Sequence, residues 1–203
     1  MKKLRRKFYN RDTLIVAKEL LGKYIIYKKD NCEYIVKIVE TEAYMGIKDK
    51  ACHSYNNKKT KRNEIMYGNC GILYVYLIYG MYYCANIVTR EKDVPEAVLI
   101  RAAEPVKGLE NMSTNRYGKD YNELNKKEIT GLTNGPGKLC KALGIDKLNN
   151  GDDLCSYNIY LAEGEHEEFE ICSSSRINID YAEEYKDCPW RFYIKDNLYV
   201  SKK

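Results

Sequence analysis

The chain has 203 residues, 44% of them hydrophobic, which is enough to bury the core of one domain. Its net charge of +5 permits an acidic polymer as a partner without requiring one, and no signal-peptide pattern or apolar run of transmembrane length is present. Eight cysteines are scattered singly, which argues against a zinc ribbon and predicts a cytoplasmic protein with free thiols.

The first predicted element is an amphipathic helix at 10–22, which follows a basic segment at 1–9. Apolar side chains recur there at helical spacing. Either Asn10 or Asp12 supplies the N-cap, because both side chains accept hydrogen bonds from free backbone amides. Gly22 ends the helix.

Runs rich in β-branched and aromatic residues predict several strands along the chain. The predicted strands are 23–28, 33–44, 72–78, 82–89, 96–105 and 191–195. The two in the middle form a hairpin with Gly80 in its turn. The intervening segments are a polar loop at 46–71 with a basic cluster at 56–63, a charged helical region at 107–131, and a short helix that opens after Gly135-Pro136-Gly137 and ends at Gly144.

The strand at 33–44 ends in the sequence VETEAY, which places two acids where an apolar face is expected. Side chains two apart on a strand share a face, so Glu40, Glu42 and Tyr44 point the same way. One interpretation is a sheet edge that reaches solvent. The histidine that follows, His53, favours a small polar pocket in which a carboxylate is placed for proton transfer.

The hairpin carries an aromatic side chain, Tyr79, beside its turn glycine. An exposed aromatic ring at the tip of a stiff hairpin suits a wedge between stacked bases. An ordinary turn tyrosine is the alternative interpretation.

Six stretches, in this order and spacing, resemble the alkyladenine (3-methyladenine) DNA glycosylases. They are VETEAY, CHSY, KRN, YVYLIYGMYYCAN, VLIRAAEP and TNGPGKLCKALGI. The resemblance covers the chain from about Asp12 to Val200. It implies a monomeric enzyme that binds double-stranded DNA containing damaged purines from the minor-groove side. Such an enzyme rotates the damaged base out of the helix and hydrolyses its N-glycosidic bond, leaving an abasic site, without a metal or other cofactor.

The resemblance also implies the fold and the role of each matching residue. The expected fold is a single α+β domain over 1–203, with a mixed, mainly antiparallel curved sheet, flanking helices and a protruding β-hairpin. Glu42 matches the general base that activates a water, and Arg101 matches its charged partner at the same water. Tyr79 matches the intercalating residue, whereas Glu40 is assigned to structure. The remaining positions are the base-binding pocket (Tyr44, His53, Tyr76 and Asn86) and the DNA phosphate contacts (Arg62, Asn63, Gly135, Gly137 and Lys138).

Three alternatives stay open at this point. The first alternative is a non-catalytic module that senses distorted DNA, and the second is a glycosylase of the helix-hairpin-helix class. In the latter, Asp152 or Asp153 is the catalytic acid after the GPGK turn. An O-glycosidase requires two cooperating carboxylates, for which only Glu40 and Glu42 are available. The sequence specifies neither the preferred lesion nor whether a lysine adds a lyase step.

Overall fold

One long strand, β2, organises the sheet of the computed structural model, which describes residues 1–164 and 167–202. The strands are β1 (Tyr24–Lys29), β2 (Cys32–Tyr44), β3 (Leu73–Ile78), β4 (Tyr82–Thr89), β5 (Glu96–Lys107), β6 (Ile159–Ala162), β7 (Ile171–Ser174) and β8 (Arg191–Ile194). The helices are α1 (Arg6–Tyr9), α2 (Thr13–Glu19), α3 (Leu109–Tyr117), α4 (Lys126–Thr130) and α5 (Pro136–Leu143).

The strand order is β3-β4-β5-β2-β1-β6, and all pairings among the described strands are antiparallel. β2 pairs with β5 along one side. On its other side the first half pairs with β1, and the second half pairs with β8, which in turn carries β7. The predicted α+β class with a mainly antiparallel sheet and a hairpin is therefore confirmed.

The sheet bends where the two acids of β2 lie. The β2–β5 register shifts on both sides of Glu40, so that Val39 on β2 and Arg101 on β5 have no direct partner. Extra residues of this kind form β-bulges, which bend a strand and increase its twist. The curvature of the sheet and the placement of Arg101 thus have one local cause.

Two predicted helices are present with shifted bounds: α2 ends at Glu19, three residues before Gly22, and α5 starts at Pro136, inside the Gly135-Pro136-Gly137 turn. Asp12 caps α2 by accepting hydrogen bonds from the amides of Leu14 and Ile15. Of the two candidate caps, Asn10 and Asp12, the structure therefore uses Asp12. Thr41 Oγ1 donates to the α2 backbone at 2.8 Å and ties this helix to β2. The second helix, α5, starts at Pro136 and ends at Gly144, whose φ of 65° suits glycine.

A single hydrophobic cluster takes in residues from both ends of the chain, from Leu4 to Val200. The polar segment 46–71 lacks strands and contains three short 3-10 turns. The sequence did not predict α1, β6 or β7. No helix within the described ranges is long and apolar enough to cross a membrane. All eight cysteines, which lie in those ranges, are free thiols.

Gly71 provides a test of the packing around α1. Its φ is 70°, and a Cβ there would lie 2.6 Å from the ring of Tyr9, which is fully buried. Gly71→Ala therefore combines backbone strain with overpacking, and we expect it to lower the free energy of unfolding by about 2–4 kcal/mol in urea titrations.

The matched control is Gly118→Ala. Gly118 has a similar φ of 66°, but its Cβ would meet no atom within 4 Å. This substitution should show the backbone cost alone, about 1–2 kcal/mol. Equal losses for the two variants would mean that Tyr9 does not restrict this site.

Candidate active site

A cavity of about 300 Å³ lies between the hairpin, the start of α5, the middle of β5 and the segment 177–181. Eight of the twelve predicted site residues line it. They are Tyr44, His53, Arg62, Tyr76, Tyr79, Asn86, Arg101 and Gly137. The fold thus brings together residues that lie almost a hundred positions apart in the chain.

The Glu42 carboxylate lies directly behind the cavity wall. Its side chain is fully buried, and it accepts hydrogen bonds from Arg101 Nη1 at 3.2 Å, the Ile177 amide at 2.8 Å and the Tyr44 hydroxyl at 2.9 Å. All three donor residues line the cavity. A carboxylate has about four acceptor positions, so one remains for a further donor such as water.

A chain of buried charges supports this carboxylate. Arg101 also lies 3.4 Å from Glu40, which accepts from Arg191 at 2.8 Å and from the Ser201 amide at 2.7 Å. Burial disfavours the Arg101 charge, but the carboxylates of Glu42 and Glu40 outweigh it and raise the pKa of the guanidinium. The structural role assigned to Glu40 stays a prediction, and its observed partners are Arg101, Arg191 and the Ser201 amide.

Tyr44 remains a hydrogen-bond donor over the physiological pH range. Burial is the largest cause that raises the pKa of its phenol well above the ordinary value, and the neighbouring Glu42 charge acts in the same direction. A protonated phenol donates its hydrogen to the carboxylate.

Another part of the cavity lining is aromatic and includes His53, Tyr74 and Tyr76. The rings of His53 and Tyr76 meet edge to face with centroids 4.6 Å apart, and His53 Nδ1 lies 2.9 Å from the hydroxyl of Tyr74. Burial, and secondarily the charge of Arg62, lower the pKa of His53 to about 4. His53 is consequently neutral at pH 7. Asn86 is buried in this part of the lining, where its amide donates to the Tyr74 carbonyl at 3.1 Å.

Tyr79 protrudes from the hairpin tip with 73% of its surface exposed. It has a φ of 53°, and the next residue, Gly80, has a φ of 70°. The Met81 amide donates to the Ile78 carbonyl at 3.2 Å, which closes a turn with two left-handed residues. A bulky side chain seldom adopts positive φ, so this position is strained.

The five predicted phosphate contacts occupy different environments. Arg62 donates to the Leu77 carbonyl at 3.1 Å, and its guanidinium lies over the Tyr76 ring. Asn63 is buried, and its side chain bonds the carbonyls of His53 and Lys58 and the amide of Thr60, so it holds the loop together.

The other three lie at the start of α5, beside the hairpin. Gly137 packs against Tyr82, where a Cβ would come within 2.9 Å of the tyrosine side chain. Gly135 is the N-cap of the helix, and Lys138 is exposed and donates to Asn134 at 2.7 Å. Phosphate contact by any of the five stays a prediction.

Sequence reasoning missed two residues that line the cavity, Tyr74 and Ile177, and one that supports it from outside, Arg176. Tyr74 sits two positions before Tyr76, a spacing that placed it on the same hairpin face, yet only Tyr76 was assigned to the pocket. Ile177 acts through its backbone amide, which leaves no side-chain signal. Arg176 beneath Tyr44 comes from an irregular segment without periodicity.

The alternative acids lie elsewhere. Asp153 forms an ion pair with Arg6 at 2.6 Å, and Asp152 accepts from Asn149 at 2.9 Å. Neither lines the cavity. Within the described ranges, no group of three or more His, Cys, Asp or Glu side chains is arranged to hold a metal ion.

The chain resembles known proteins along almost its full length. The family model described as Methylpurine-DNA glycosylase (MPG) matches residues 7–198. A protein of Desulfitobacterium hafniense (strain Y51) is 58% identical over 203 residues, and one of Clostridium novyi (strain NT) is 60% identical over 203 residues, in both cases covering 100% of each chain. A protein of Alkaliphilus oremlandii (strain OhILAs) is 56% identical over 201 residues, covering 99% of this chain and 100% of its own. Each carries 3-methyladenine DNA glycosylase as a provisional name.

The low pKa of His53 predicts a pH dependence of stability. Above pH 6.5, its ordinary pKa, His53 is neutral in both the folded and the unfolded chain. Between pH 6.5 and about 4 the unfolded chain takes up a proton that the folded chain refuses, so the free energy of unfolding falls as the pH falls. His53→Gln removes this titration and should lose less stability between pH 7 and pH 5 in urea titrations. Carboxylates titrate alike in both proteins, so an identical loss would show that His53 is not held neutral by the fold.

Proposed function

The chain belongs to the methylpurine-DNA glycosylase family, and on that premise we propose that its cavity receives a damaged purine rotated out of duplex DNA, with Glu42 as the general base. The family is one of hydrolytic DNA glycosylases, so the chain is an enzyme that acts on DNA, and the non-catalytic module is set aside. The observation that carries the proposal is the buried Glu42 carboxylate behind an aromatic cavity wall.

The cavity has the shape and chemistry that a flipped purine needs. Tyr44, His53 and Tyr76 all line it, and the family resemblance implies that the base lies between Tyr44 on one side and the His53–Tyr76 pair on the other. Stacking on such rings contributes roughly 1–3 kcal/mol per base, which offsets much of the cost of unstacking the base from the duplex. Because His53 is neutral at pH 7, it stacks against a neutral or a cationic purine without charge repulsion. The family resemblance implies that Asn86 crowds the 2-amino group of guanine and so favours adenine-like bases.

The proposed reaction is hydrolysis at the sugar C1′. The bond from C1′ to the purine nitrogen breaks, and its electron pair leaves with the base. A water held at the remaining acceptor position of Glu42 forms the new C1′–O bond, and its proton passes to the carboxylate. Positive charge develops on the sugar as the base departs, and the same carboxylate stabilises it. Arg101 donates a charge-assisted hydrogen bond to Glu42 at 3.2 Å and so helps to hold the carboxylate in place.

The helix-hairpin-helix alternative has no support in this arrangement. Asp152 and Asp153 lie outside the cavity and are engaged with Asn149 and Arg6. An O-glycosidase with Glu40 as the second acid is equally unsupported, because Arg191 and Ser201, which bind Glu40, do not line the cavity.

Glu42→Gln tests the general base. The amide keeps the size of the side chain but cannot take a proton, so base release should fall by about 10²–10⁴-fold while DNA binding persists. The measurement is single-turnover release of an alkylated purine from a duplex, with binding followed by fluorescence anisotropy. Asp152→Asn is the matched control and should react like the wild type. A Glu42→Gln enzyme that reacts at the wild-type rate would remove Glu42 from the mechanism.

The geometry at the hairpin tip supports an intercalating role for Tyr79. An exposed ring on a residue with strained backbone serves no core packing, so its stabilisation must come from a partner outside the chain. A ring at this position fills the gap that the rotated nucleotide leaves in the stack. It also lies at the rim of the same cavity.

Tyr79→Ser separates a wedge from a packing residue. Without the ring, excision should slow most for a well-paired lesion in a stable duplex, and least for a lesion in a mismatch, where unstacking is already cheap. Single-turnover rates on both duplexes give the ratio, and the melting temperature should not fall. Equal losses on both substrates together with a lower melting temperature would assign Tyr79 to packing.

A further inference from the structure

Arg176 is a buried cation that lies beneath the cavity rather than in it. Its side chain has no exposed surface and neither does that of its partner Asp49. The guanidinium donates to both Asp49 oxygens at 2.5 and 2.9 Å, to the Ala43 carbonyl at 3.1 Å and to the Tyr185 carbonyl at 3.3 Å. Asp49 is itself fixed by the amides of Met45 and Ala51 at 3.0 Å each.

The same guanidinium lies over two aromatic rings. Its central carbon is 4.8 Å from the ring centroid of Tyr44 and 5.0 Å from that of Trp190. One face of Tyr44 is therefore occupied by Arg176, which leaves the other face for a base. A planar guanidinium paired at two points suits this position, because a flexible ammonium neither stacks nor forms the two-point pair.

Two of the three donors to Glu42 come from residues next to Arg176: Tyr44, which it contacts, and Ile177, which follows it in the chain. Tyr44, which it stacks on and whose preceding carbonyl it binds, donates its hydroxyl to one Glu42 oxygen at 2.9 Å. Ile177, the next residue in the chain, donates its amide to the other oxygen at 2.8 Å. The third donor, Arg101, comes from β5 and does not depend on Arg176.

We propose that Arg176 is a positioning residue for the excision reaction, which holds the Tyr44 hydroxyl and the Ile177 amide against Glu42 and fixes the Tyr44 ring for stacking. The proposal rests on the function proposed for Glu42. Arg176 touches neither the base nor the water. It acts by restricting the orientation of groups that do, and misplacement of a reacting group by about 1 Å costs on the order of 10²-fold in rate.

Arg176→Lys is the principal test. It keeps a positive charge beside Asp49 but removes the planar stack and the two-point pair. We expect the single-turnover excision rate to fall by roughly 10²-fold, whereas affinity for undamaged duplex stays the same because the DNA-facing surface is unchanged. Rates are compared well below the melting temperature of each variant.

A double-mutant cycle with Tyr44→Phe separates positioning from general support of the fold. The phenylalanine keeps the ring and lacks the donor. In that background Arg176→Lys should cost no more than about tenfold, since the hydroxyl is already absent and only the Ile177 donor and the ring orientation remain to be displaced. The same loss in both backgrounds would overturn the proposal, because a merely structural arginine does not act through the Tyr44 hydroxyl.

Two further variants complete the design. Asp49→Asn loosens the guanidinium without removing it and should lower the rate in the same direction, also dependent on Tyr44, which supplies the test if Arg176→Lys does not fold. Lys50→Ala is the matched control. Lys50 pairs with Glu183 and Glu184 in the segment after Arg176, at 2.5 and 2.9 Å, but contacts neither Tyr44 nor Glu42. It should react like the wild type, and a loss as large as that of Arg176→Lys would overturn the proposal.

Glu42→Gln in the same assay keeps the two ideas distinguishable. If Glu42→Gln is fully active while the Arg176–Tyr44 coupling is present, the general base is wrong and Arg176 still positions Tyr44. If Glu42→Gln is inactive and the coupling is absent, the general base stands and the positioning role is wrong.

Discussion

The active site is held together by a row of four buried charged side chains: Glu42, Arg101, Glu40 and Arg191. They alternate in sign, and each acid lies within 3.4 Å of a guanidinium. A buried charge without a partner is costly, and removing one member of such a pair typically destabilises a protein by about 3–5 kcal/mol. Removing any one of the four side chains therefore leaves a neighbouring buried charge with one partner fewer. Through it β2, β5 and β8 and the terminal segment around Ser201 meet at one point of the sheet.

This constraint explains why the site lies where the sheet bends. The register shifts beside Glu40 leave Arg101 without a strand partner. A bulge re-aims a side chain, so Arg101 can reach both acids. The hairpin borders the same cavity, and its exposed tip at Tyr79 has a left-handed backbone.

The parts of the molecule with periodic or motif signals were predictable from the sequence. Helix α2 with its Asp12 cap, the β3–β4 hairpin and the long β2 all have strong local patterns. The pairing of Glu42 with Arg101 followed from family resemblance, since nothing local links positions 59 residues apart. Short strands such as β7 were missed because four residues carry little pattern.

The sequence could not identify residues that act through their backbone or that lie in irregular segments. The Ile177 amide gives no side-chain signal, and Arg176 resembles any surface arginine until the fold buries it. The loop contacts of Asn63 are a further example, because nothing in the sequence indicates that its side chain bonds the carbonyls of His53 and Lys58. Tertiary structure decides such roles.

The role of Glu42 as the general base is tested most directly with a duplex that contains one alkylated purine. The enzyme is in excess and borohydride is present. Hydrolysis by a carboxylate-activated water predicts one free base per duplex, an abasic strand that breaks only after alkali, and no covalent adduct of enzyme with DNA. A borohydride-trapped adduct together with strand cleavage would mean that a lysine attacks C1′, and it would contradict the role given to Glu42.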